Sequence, residues 1–266
     1  MVILGSDAAA LELLESLSAE LARAAVDHEL ILVRNSASQS CEFLSPKGRL
    51  RRVSVLSNPH NPGFARSVNH GAREARGRHL LLLNPDVSLE GSSEIVEMLK
   101  TLEEMEGEAI LAPRLKSPAG QESASGFGDF HFRPARFLAK YLPLLKSPKP
   151  SSKLIPVDWV AATVMLLSRS SWEAAGGFSE GYFMYFEDVD LCYRLSKLGV
   201  KTFLMGEYFA VHRGGASWGR SAQARCRRFF DYRQSRNLFL TRHAPLRAFL
   251  LHYLDLLAGA RYNRAK

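Results

Sequence analysis

The chain has 266 residues, 46% of them hydrophobic, which suits one α/β domain with a modest extension and a substantial core. Its net charge of +8 favours anionic partners such as nucleotides, nucleic acid or an acidic membrane surface. Three separated cysteines argue against a zinc or disulfide framework and favour a reducing, cytoplasmic compartment, and we expect neither a signal peptide nor a membrane-spanning helix.

The first 112 residues alternate strand and helix signals. Short apolar runs predict strands, and leucines or other apolar residues three to four apart predict helices between them. Alternation of this kind is typical of βαβ units and a mostly parallel sheet. The predicted strands are 2–4, 29–33, 53–56, 79–83 and 109–112, and the predicted helices are 8–25, 64–76 and 92–105.

The alternation stops after residue 112. Residues 113–156 are rich in Pro, Ser, Gly and Lys and are predicted to form a long irregular insert, typical of a lid or a partly disordered segment. The patterns then predict strands at 157–167, 200–204 and 208–212, with a helix at 187–198 that ends at a glycine.

The predicted strand 79–83 ends at Asn84-Pro85-Asp86. Ligands of open α/β sheets bind at the carboxyl ends of strands, and Pro85 restricts the local backbone. Asp86 is therefore a candidate ligand for a divalent cation, which prefers carboxylate oxygens. Alternatively, Asp86 has only a structural role, as a turn residue or as the cap of the next helix.

Two motifs with asparagine and glycine, at 61–64 and 69–71, lie around the start of the helix at 64–76. A helix N-terminus beside glycines suits a phosphate group. The signal is weak on its own, because these residues also form ordinary turns.

Three carboxylates, Glu187, Asp188 and Asp190, follow the aromatic run 182–186. A structural role is one explanation, since acids in a first helical turn stabilise the dipole by about 0.3–1 kcal/mol. Asp190 and Arg194 also have the (i, i+4) spacing of an ion pair. The alternative is catalytic, because a carboxylate beside an apolar wall can serve as a general base.

His212 lies at the end of the predicted strand 208–212 and precedes a glycine-containing loop. A histidine in this position can ligate a metal, although a lone histidine is more often structural.

The order of these motifs resembles the inverting family 2 glycosyltransferases of the GT-A fold, particularly the rhamnosyltransferase-like branch. The resemblance covers about residues 1–220. The matching elements are Asn61/Gly63/Phe64, Asn69/Gly71, Leu83-Asn84-Pro85-Asp86, Gly176-Gly177-Phe178, Phe183/Tyr185/Glu187/Asp188/Asp190/Leu191/Arg194 and His212/Gly215/Ser217.

The resemblance implies a Rossmann-like, mostly parallel sheet flanked by helices. It implies transfer of a sugar with inversion from a nucleoside-diphosphate sugar, such as dTDP-rhamnose, to a hydroxyl of a glycan or lipid-linked acceptor in cell-surface polysaccharide synthesis. The domain would span 1–219, with a nucleotide-binding half at 1–112, the insert at 113–156 and an acceptor and catalytic half at 157–219. A basic, amphipathic helical extension would follow at 220–266.

The resemblance also implies roles for individual residues. Asp188 would be the general base, and Asp86 and His212 would share one Mg²⁺ or Mn²⁺ site. Trp159 and Glu187 would contact the acceptor. The implied nucleotide-binding residues are Gly5, Ser6, Asn35, Asn61, Gly63, Asn69 and Asn84.

Two positions depart from the family pattern. Arg34 stands where the family has an aspartate that holds the base or ribose, and Ser179 replaces the acid of the G-G-F-D-E element. A degenerate, non-catalytic sugar-nucleotide-binding protein is therefore an alternative. A basic nucleic-acid-binding protein is a third, although the sequence contains no recognised nucleic-acid motif and we expect no nucleic-acid partner.

The C-terminal region is basic. Residues 213–247 contain nine arginines and a single acid, Asp231, interleaved with aromatic residues, and an apolar stretch follows at 248–257. One interpretation is a solvated basic helix that packs its apolar face on the core. The other is a peripheral helix on an anionic membrane, at the inner face of the plasma membrane.

Overall fold

The computed structural model describes residues 2–4, 8–35, 53–89, 94–123, 126–127, 153–213 and 221–245. Its helices are α1 (Ala8–Arg23), α2 (Phe64–Glu74), α3 (Glu94–Glu104), α4 (Arg169–Ala174), α5 (Glu187–Lys197) and α6 (Ala222–His243). Its strands are β1 (Val2–Leu4), β2 (Leu30–Arg34), β3 (Val53–Ser57), β4 (His79–Leu83), β5 (Val87–Leu89), β6 (Ala109–Lys116), β7 (Glu122–Ser123), β8 (Gly126–Phe127), β9 (Leu154–Val157), β10 (Trp159–Val160), β11 (Val164–Ser168) and β12 (Lys201–His212). Within these ranges, no helix combines the length and the apolar character that crossing a bilayer requires.

A ten-stranded sheet forms the centre, in the order β3-β2-β1-β4-β11-β6-β12-β5, with β7 beside β6 and β9 beside β12. Strands β3, β2, β1 and β4 are parallel. Strand β11 is antiparallel to both of its neighbours, and β12 is parallel to β6 but antiparallel to β5 and β9. The predicted α/β architecture is present, and the sheet is mixed: six of its ten strands run in one direction, and β11, β5, β7 and β9 run in the other. Only three residues separate β4 from β5, too few for the crossover connection that a parallel strand needs.

The core lies on both faces of this sheet. Alternate residues of β2 point to opposite sides: Leu30 and Leu32 join the cluster under α1 and α3, whereas Ile31 and Val33 join the cluster under α2 and α5. Burial on both faces explains why the strands are continuous apolar runs rather than alternating ones.

A third, smaller apolar cluster joins α6 to the rest of the fold. Phe239 and Leu240 of α6 are buried against Tyr182, Phe186 and Val189. The division into a domain of 1–219 and an extension of 220–266 stays a prediction, but the described part of the extension packs on the domain.

Several predicted elements have different bounds in the structure. The strands expected at 200–204 and 208–212 are one strand, β12, with a register shift between Met205 and Phe209. The strand expected at 157–167 is divided among the end of β9, β10 and β11. The insert expected at 113–156 begins with regular structure, because β6 continues to Lys116 and turns back into β7. Residues 128–152 of that insert lie outside the described ranges.

Candidate active site

Asp86 and His212 lie side by side. Strand β5, which the sequence patterns did not predict, pairs with the end of β12 and sets His212 opposite Val87. The Arg213 backbone N–H donates to the Asp86 carbonyl at 2.9 Å. These contacts leave His212 Nε2 3.2 Å from Asp86 Oδ1. The adjacency therefore comes from the pairing of two strands that are far apart in the sequence.

The Asp86–His212 pair has the chemistry and spacing of two metal ligands. Two ligand atoms at right angles around a Mg²⁺ ion, each bonded at about 2.0–2.1 Å, are about 2.8–3.0 Å apart, slightly less than the 3.2 Å seen here. Carboxylate oxygen and imidazole nitrogen both ligate divalent cations. Among the described residues, no group of three or more His, Cys, Asp or Glu side chains is arranged to hold a metal. A cation here would need further ligands from a substrate or water, as Mg²⁺ sites on phosphate substrates commonly have.

Asp188 lies in the first turn of α5, and both of its carboxylate oxygens accept backbone hydrogen bonds. Val189 N–H donates to Oδ1 at 2.8 Å, and Ala162 N–H donates to Oδ2 at 3.2 Å. Burial raises the pKa of Asp188, and the two backbone bonds oppose that rise. The carboxylate is thus oriented by its neighbours and is more basic than an exposed aspartate.

Backbone contacts connect Asp188 to the Asp86 segment. Strand β11 pairs with β4, with Val164 opposite Leu83, and the Asn84 N–H donates to the Thr163 carbonyl at 2.9 Å. Ala162, which holds the Asp188 carboxylate, is the residue before Thr163. Both carboxylates therefore belong to the region where β4 ends and β11 begins, at one edge of the sheet.

The two other acids of the cluster have different surroundings from Asp188. Glu187 is buried, its Oε2 has no hydrogen-bond partner, and burial together with the neighbouring Asp188 holds its pKa well above the ordinary range. Unlike Asp188, this carboxyl group does not have both of its oxygens oriented by hydrogen bonds. Asp190 is 1% exposed and is used structurally: Arg194 donates to Oδ2 at 2.7 Å. The predicted ion pair between Asp190 and Arg194 is confirmed, although it is buried on the aspartate side rather than a surface pair.

A polar network lies at the end of β2 and along the first turns of α2. Asn35 Oδ1 accepts from Asn58 Nδ2 at 2.9 Å and lies 2.6 Å from the Ser67 hydroxyl. Asn58 Oδ1 is 2.9 Å from His70 Nδ1. Of these residues, only Asn35 was predicted as a site residue. The missed signal was Asn58, a polar residue directly after a strand.

The loop before α2 is shaped by Asn61 and Gly63. Asn61 Oδ1 accepts from the Gly63 N–H at 3.0 Å. Gly63 has φ +94°, and a Cβ there would overlap the carbonyl of Phe183. The Phe64 N–H donates to that same carbonyl at 2.7 Å. The helix start expected to hold a phosphate thus lies directly against the segment that leads to Asp188.

Asn69 holds a turn. Its Oδ1 accepts from the Phe178 N–H at 2.9 Å, and its Nδ2 donates to the Phe178 carbonyl at 2.9 Å and to Glu180 Oε1 at 3.2 Å. The side chain is buried. These bonds use both amide hydrogens and one of the two acceptor positions of Oδ1, so Asn69 has a structural role in this turn.

Gly5, Ser6 and Trp159 are the remaining predicted site positions. Gly5 and Ser6 lie outside the described residues. Trp159 is half-buried in β10, opposite Phe127, and packs beside the cluster of Tyr182 and Phe186.

The two departures from the family pattern have distinct surroundings. Arg34 is the last residue of β2 and is only 4% exposed. Ser179 accepts a hydrogen bond from Arg242 Nη1 of α6 at 2.6 Å.

The geometry places two acidic positions and a histidine at the carboxyl edge of an α/β sheet, and the sequence comparison identifies the family. Residues 8–140, half of the chain, match the model of glycosyl transferase family 2. The chain belongs to glycosyl transferase family 2. The predicted family is confirmed, and the chain is a glycosyltransferase of this family.

Three curated relatives are similar in sequence. Rhamnosyltransferase WbbL of Escherichia coli is 27% identical, over 76% of this chain and 77% of its own length. The low-salt glycan biosynthesis hexosyltransferase Agl10 of Haloferax volcanii is 33% identical, over 69% of this chain and 58% of its own length. The N-acetylglucosaminyl-diphospho-decaprenol L-rhamnosyltransferase of Mycobacterium tuberculosis is 40% identical, over 27% of this chain and 23% of its own length.

Two solved structures share the fold. GalNAc-T7, crystallised with UDP, GalNAc and Mn²⁺, superposes with a TM-score of 0.60 at 14% identity, over 79% of this chain and 42% of its own. Residues 1–349 of Staphylococcus aureus TarS in complex with UDP-GlcNAc superpose with a TM-score of 0.56 at 14% identity, over 90% of this chain and 65% of that one. The predicted GT-A fold is confirmed, and this chain spans less than half of the GalNAc-T7 chain.

Proposed function

We propose that this protein is an inverting glycosyltransferase that moves a sugar from a nucleoside-diphosphate donor, in the first instance dTDP-rhamnose, to a hydroxyl of a glycan or lipid-linked acceptor in cell-surface polysaccharide synthesis. Two of the relatives are named as rhamnosyltransferases, and one of these names contains a diphospho-decaprenol. The third is named as a hexosyltransferase, so other hexoses belong in the donor screen.

The observation that carries the proposal is the placement of Asp188. Its carboxylate is held by Ala162, next to the Thr163–Asn84 backbone bond, and Asp86 and His212 lie just beyond. A base and a candidate diphosphate site thus share one edge of the sheet.

The proposed reaction is a single displacement. Asp188 takes the proton of the acceptor hydroxyl as that oxygen bonds to the anomeric carbon. The bond from this carbon to the diphosphate oxygen breaks on the opposite side, so the configuration inverts.

Asp86 and His212 would hold a Mg²⁺ or Mn²⁺ ion. When bound, such an ion supplies positive charge beside the diphosphate that leaves. The spacing of the two ligand atoms fits this role, and their small number fits a site completed by phosphate oxygens.

The proposed nucleotide side comprises Asn35, Asn61, Gly63 and Asn84, together with Gly5 and Ser6. The network around Asn35 supports it, because its asparagines and serine follow strand ends or begin a helix, where ligands of α/β sheets bind. Asn69 stays a proposed residue on this side, through the amide oxygen, because Phe178 and Glu180 take both of its amide hydrogens. Trp159 and Glu187 remain proposed acceptor-side residues.

The experiment that tests the function is a donor screen followed by a transfer assay. Thermal unfolding is measured with a panel of nucleoside-diphosphate sugars, with and without Mn²⁺. A donor at 100 times its dissociation constant should raise the free energy of unfolding by about 2.7 kcal/mol. Transfer to lipid-diphosphate acceptors is then measured with the stabilising donor. Stabilisation without any transfer or donor hydrolysis would favour the degenerate, non-catalytic alternative. Stabilisation by none of the donors would contradict the proposal.

We also propose that α6 contacts an anionic membrane surface, as a peripheral site at the inner face of the plasma membrane. Phe229 and Phe230 on this helix are 60% and 65% exposed, with ring centroids 6.0 Å apart. Exposed Arg225 and Arg227 lie nearby on the same helix. Exposed aromatic rings beside arginines suit the interface of an acidic bilayer.

Vesicle co-sedimentation tests the membrane contact. Binding is expected to vesicles containing acidic lipid, to weaken in high salt, and to fall in the double variant Phe229→Ser/Phe230→Ser. The exposed Gln234→Ala on the same helix is the control. Equal binding to neutral vesicles would contradict the proposal, and salt-dependent binding to nucleic acid instead would favour the third alternative.

A further inference from the structure

Helix α6 packs against the segment that leads into Asp188. The Ser235 hydroxyl donates to the Met184 carbonyl at 2.8 Å. The Phe186 ring lies between two rings of α6, with centroids 5.3 Å from Tyr232 and 5.7 Å from Phe239. One face of α6 therefore covers the residues immediately before the proposed base.

The covered segment has an unfavourable backbone conformation. Tyr185 has φ +71° and Phe186 has φ +67°. Bulky residues with a Cβ rarely occupy this left-handed region and stay there only when surrounding contacts hold them. Phe186 is also the residue that precedes the first turn of α5, so its backbone sets the direction in which that turn, including Asp188, begins.

A second set of contacts joins the end of α6 to the same helical turn. Asp190 Oδ1 accepts from His243 Nε2 of α6 at 2.8 Å and from the Tyr182 hydroxyl at 3.2 Å. Asp190 Oδ2 accepts from Arg194 at 2.7 Å. A buried carboxylate two residues after Asp188 is thus held by donors from the preceding loop, from α5 and from α6.

We propose that His243 is a positioning residue for the general base and acts through Asp190. With the Phe239–Phe186 contact, it keeps the Tyr185–Phe186 turn in the conformation that presents Asp188 to the acceptor. The inference rests on the proposed role of Asp188. His243 is the last residue of α6, within the predicted C-terminal extension and beyond the motifs that resemble the family.

Two variants of the full chain test the role of His243. His243→Ala removes the donor to Asp190, whereas His243→Gln keeps an N–H donor at a similar distance from the backbone. We expect His243→Ala to lower kcat by about tenfold to a hundredfold, the effect of a small misplacement of a catalytic group, with KM for the donor changed less than about twofold. His243→Gln should recover most of this loss, and the exposed Gln234→Ala on the same helix should leave kcat unchanged.

Hydrogen exchange gives a second measurement that does not depend on turnover. Peptides covering 183–190 should exchange faster in His243→Ala than in the wild type, with recovery in His243→Gln. If His243→Ala does not fold, Ser235→Ala is used in its place, because this change removes only the bond to Met184. Ser235→Ala should lower kcat by roughly fivefold and speed exchange in the same peptides.

The outcomes separate this proposal from the proposed function. A wild-type chain that transfers no sugar from any donor contradicts the proposed function, and exchange alone then decides the role of His243. A residue that only docks α6 would lower the melting temperature of His243→Ala and leave kcat unchanged below that temperature. Unchanged kcat in an active enzyme, failure of glutamine to restore it, or unchanged exchange would each overturn the proposal.

Discussion

Replacing Asp188 and Asp190 separately by asparagine distinguishes a catalytic carboxylate from a structural one. The two residues lie in the same turn of α5, and each substitution keeps the size of the side chain. Their contacts differ: Asp188 accepts from two backbone N–H groups, whereas Asp190 accepts from Tyr182, Arg194 and His243. The two variants should therefore fail in different ways.

Asp188→Asn should lower kcat by about 10²–10⁴-fold, or about 3–5 kcal/mol of transition-state stabilisation. The reason is that the asparagine amide cannot take the proton of the sugar-accepting hydroxyl group. One of the two backbone bonds to Ala162 and Val189 is lost, since the amide NH₂ cannot accept, which costs about 0.5–1.5 kcal/mol. Removing a carboxylate whose pKa is raised by burial partly offsets that cost. The melting temperature should therefore change little.

Asp190→Asn should behave in the opposite way. The substitution replaces the carboxylate that Arg194 contacts by an amide, in a network that is buried on the aspartate side, and losing a hydrogen bond to a charged group costs about 1.5–3 kcal/mol. Stability should fall clearly, and activity should fall through misplacement of the turn rather than through loss of a base.

The assay is initial-rate transfer with saturating donor, alongside thermal unfolding of both variants. Donor-induced stabilisation should be retained in Asp188→Asn, because the base contacts the acceptor. Near-normal turnover of Asp188→Asn would refute its assignment as the base. Loss of donor binding in that variant would instead place Asp188 on the nucleotide side.

Three further predictions concern pH, backbone geometry and the metal. Burial and the neighbouring Asp188 raise the pKa of Glu187 above 4.5, so the folded protein holds this proton more tightly than the unfolded chain does. The free energy of unfolding therefore falls as the pH rises above about that value. Glu187→Gln should raise the melting temperature at pH 8 and leave it nearly unchanged at pH 4. Gly120 has φ +76° and open space where a Cβ would lie, so Gly120→Ala should lower the free energy of unfolding by roughly 1 kcal/mol. Gly63 has φ +94° and a steric overlap at the Cβ position, so Gly63→Ala should lower it several times as much, as measured by urea unfolding. Asp86→Asn should abolish any Mn²⁺-dependent gain in donor-induced stabilisation while keeping the fold, and an unchanged gain would remove Asp86 from the metal site.

The sequence by itself determined the fold class, the family and the order of the motifs. Strand β4 could be predicted because a buried strand is a continuous apolar run, and Asp86 could be predicted as a site residue because it directly follows that run. The acids of α5 could be found for a similar reason, since their spacing and the aromatic run before them are local features. These signals require only neighbouring residues.

Only the tertiary structure decided which of these residues meet. The distance between Asp86 and His212 depends on the pairing of β5 with β12, and the short strand β5 has too few residues to produce a sequence pattern. The roles of the three acids also separate only through contacts with distant residues: Ala162 for Asp188, and His243 for Asp190.

The mixed sheet and the docking of α6 were undetermined for the same physical reason. An apolar strand buried on both faces has the same composition whether its neighbours are parallel or antiparallel, so its direction follows from the path of the chain. The aromatic and basic residues of α6 indicated a helix with an apolar face, but local spacing carries no information about which surface that face covers. Burial of Phe239 against Phe186 decided it, and this contact brings the C-terminal helix to the turn that presents Asp188.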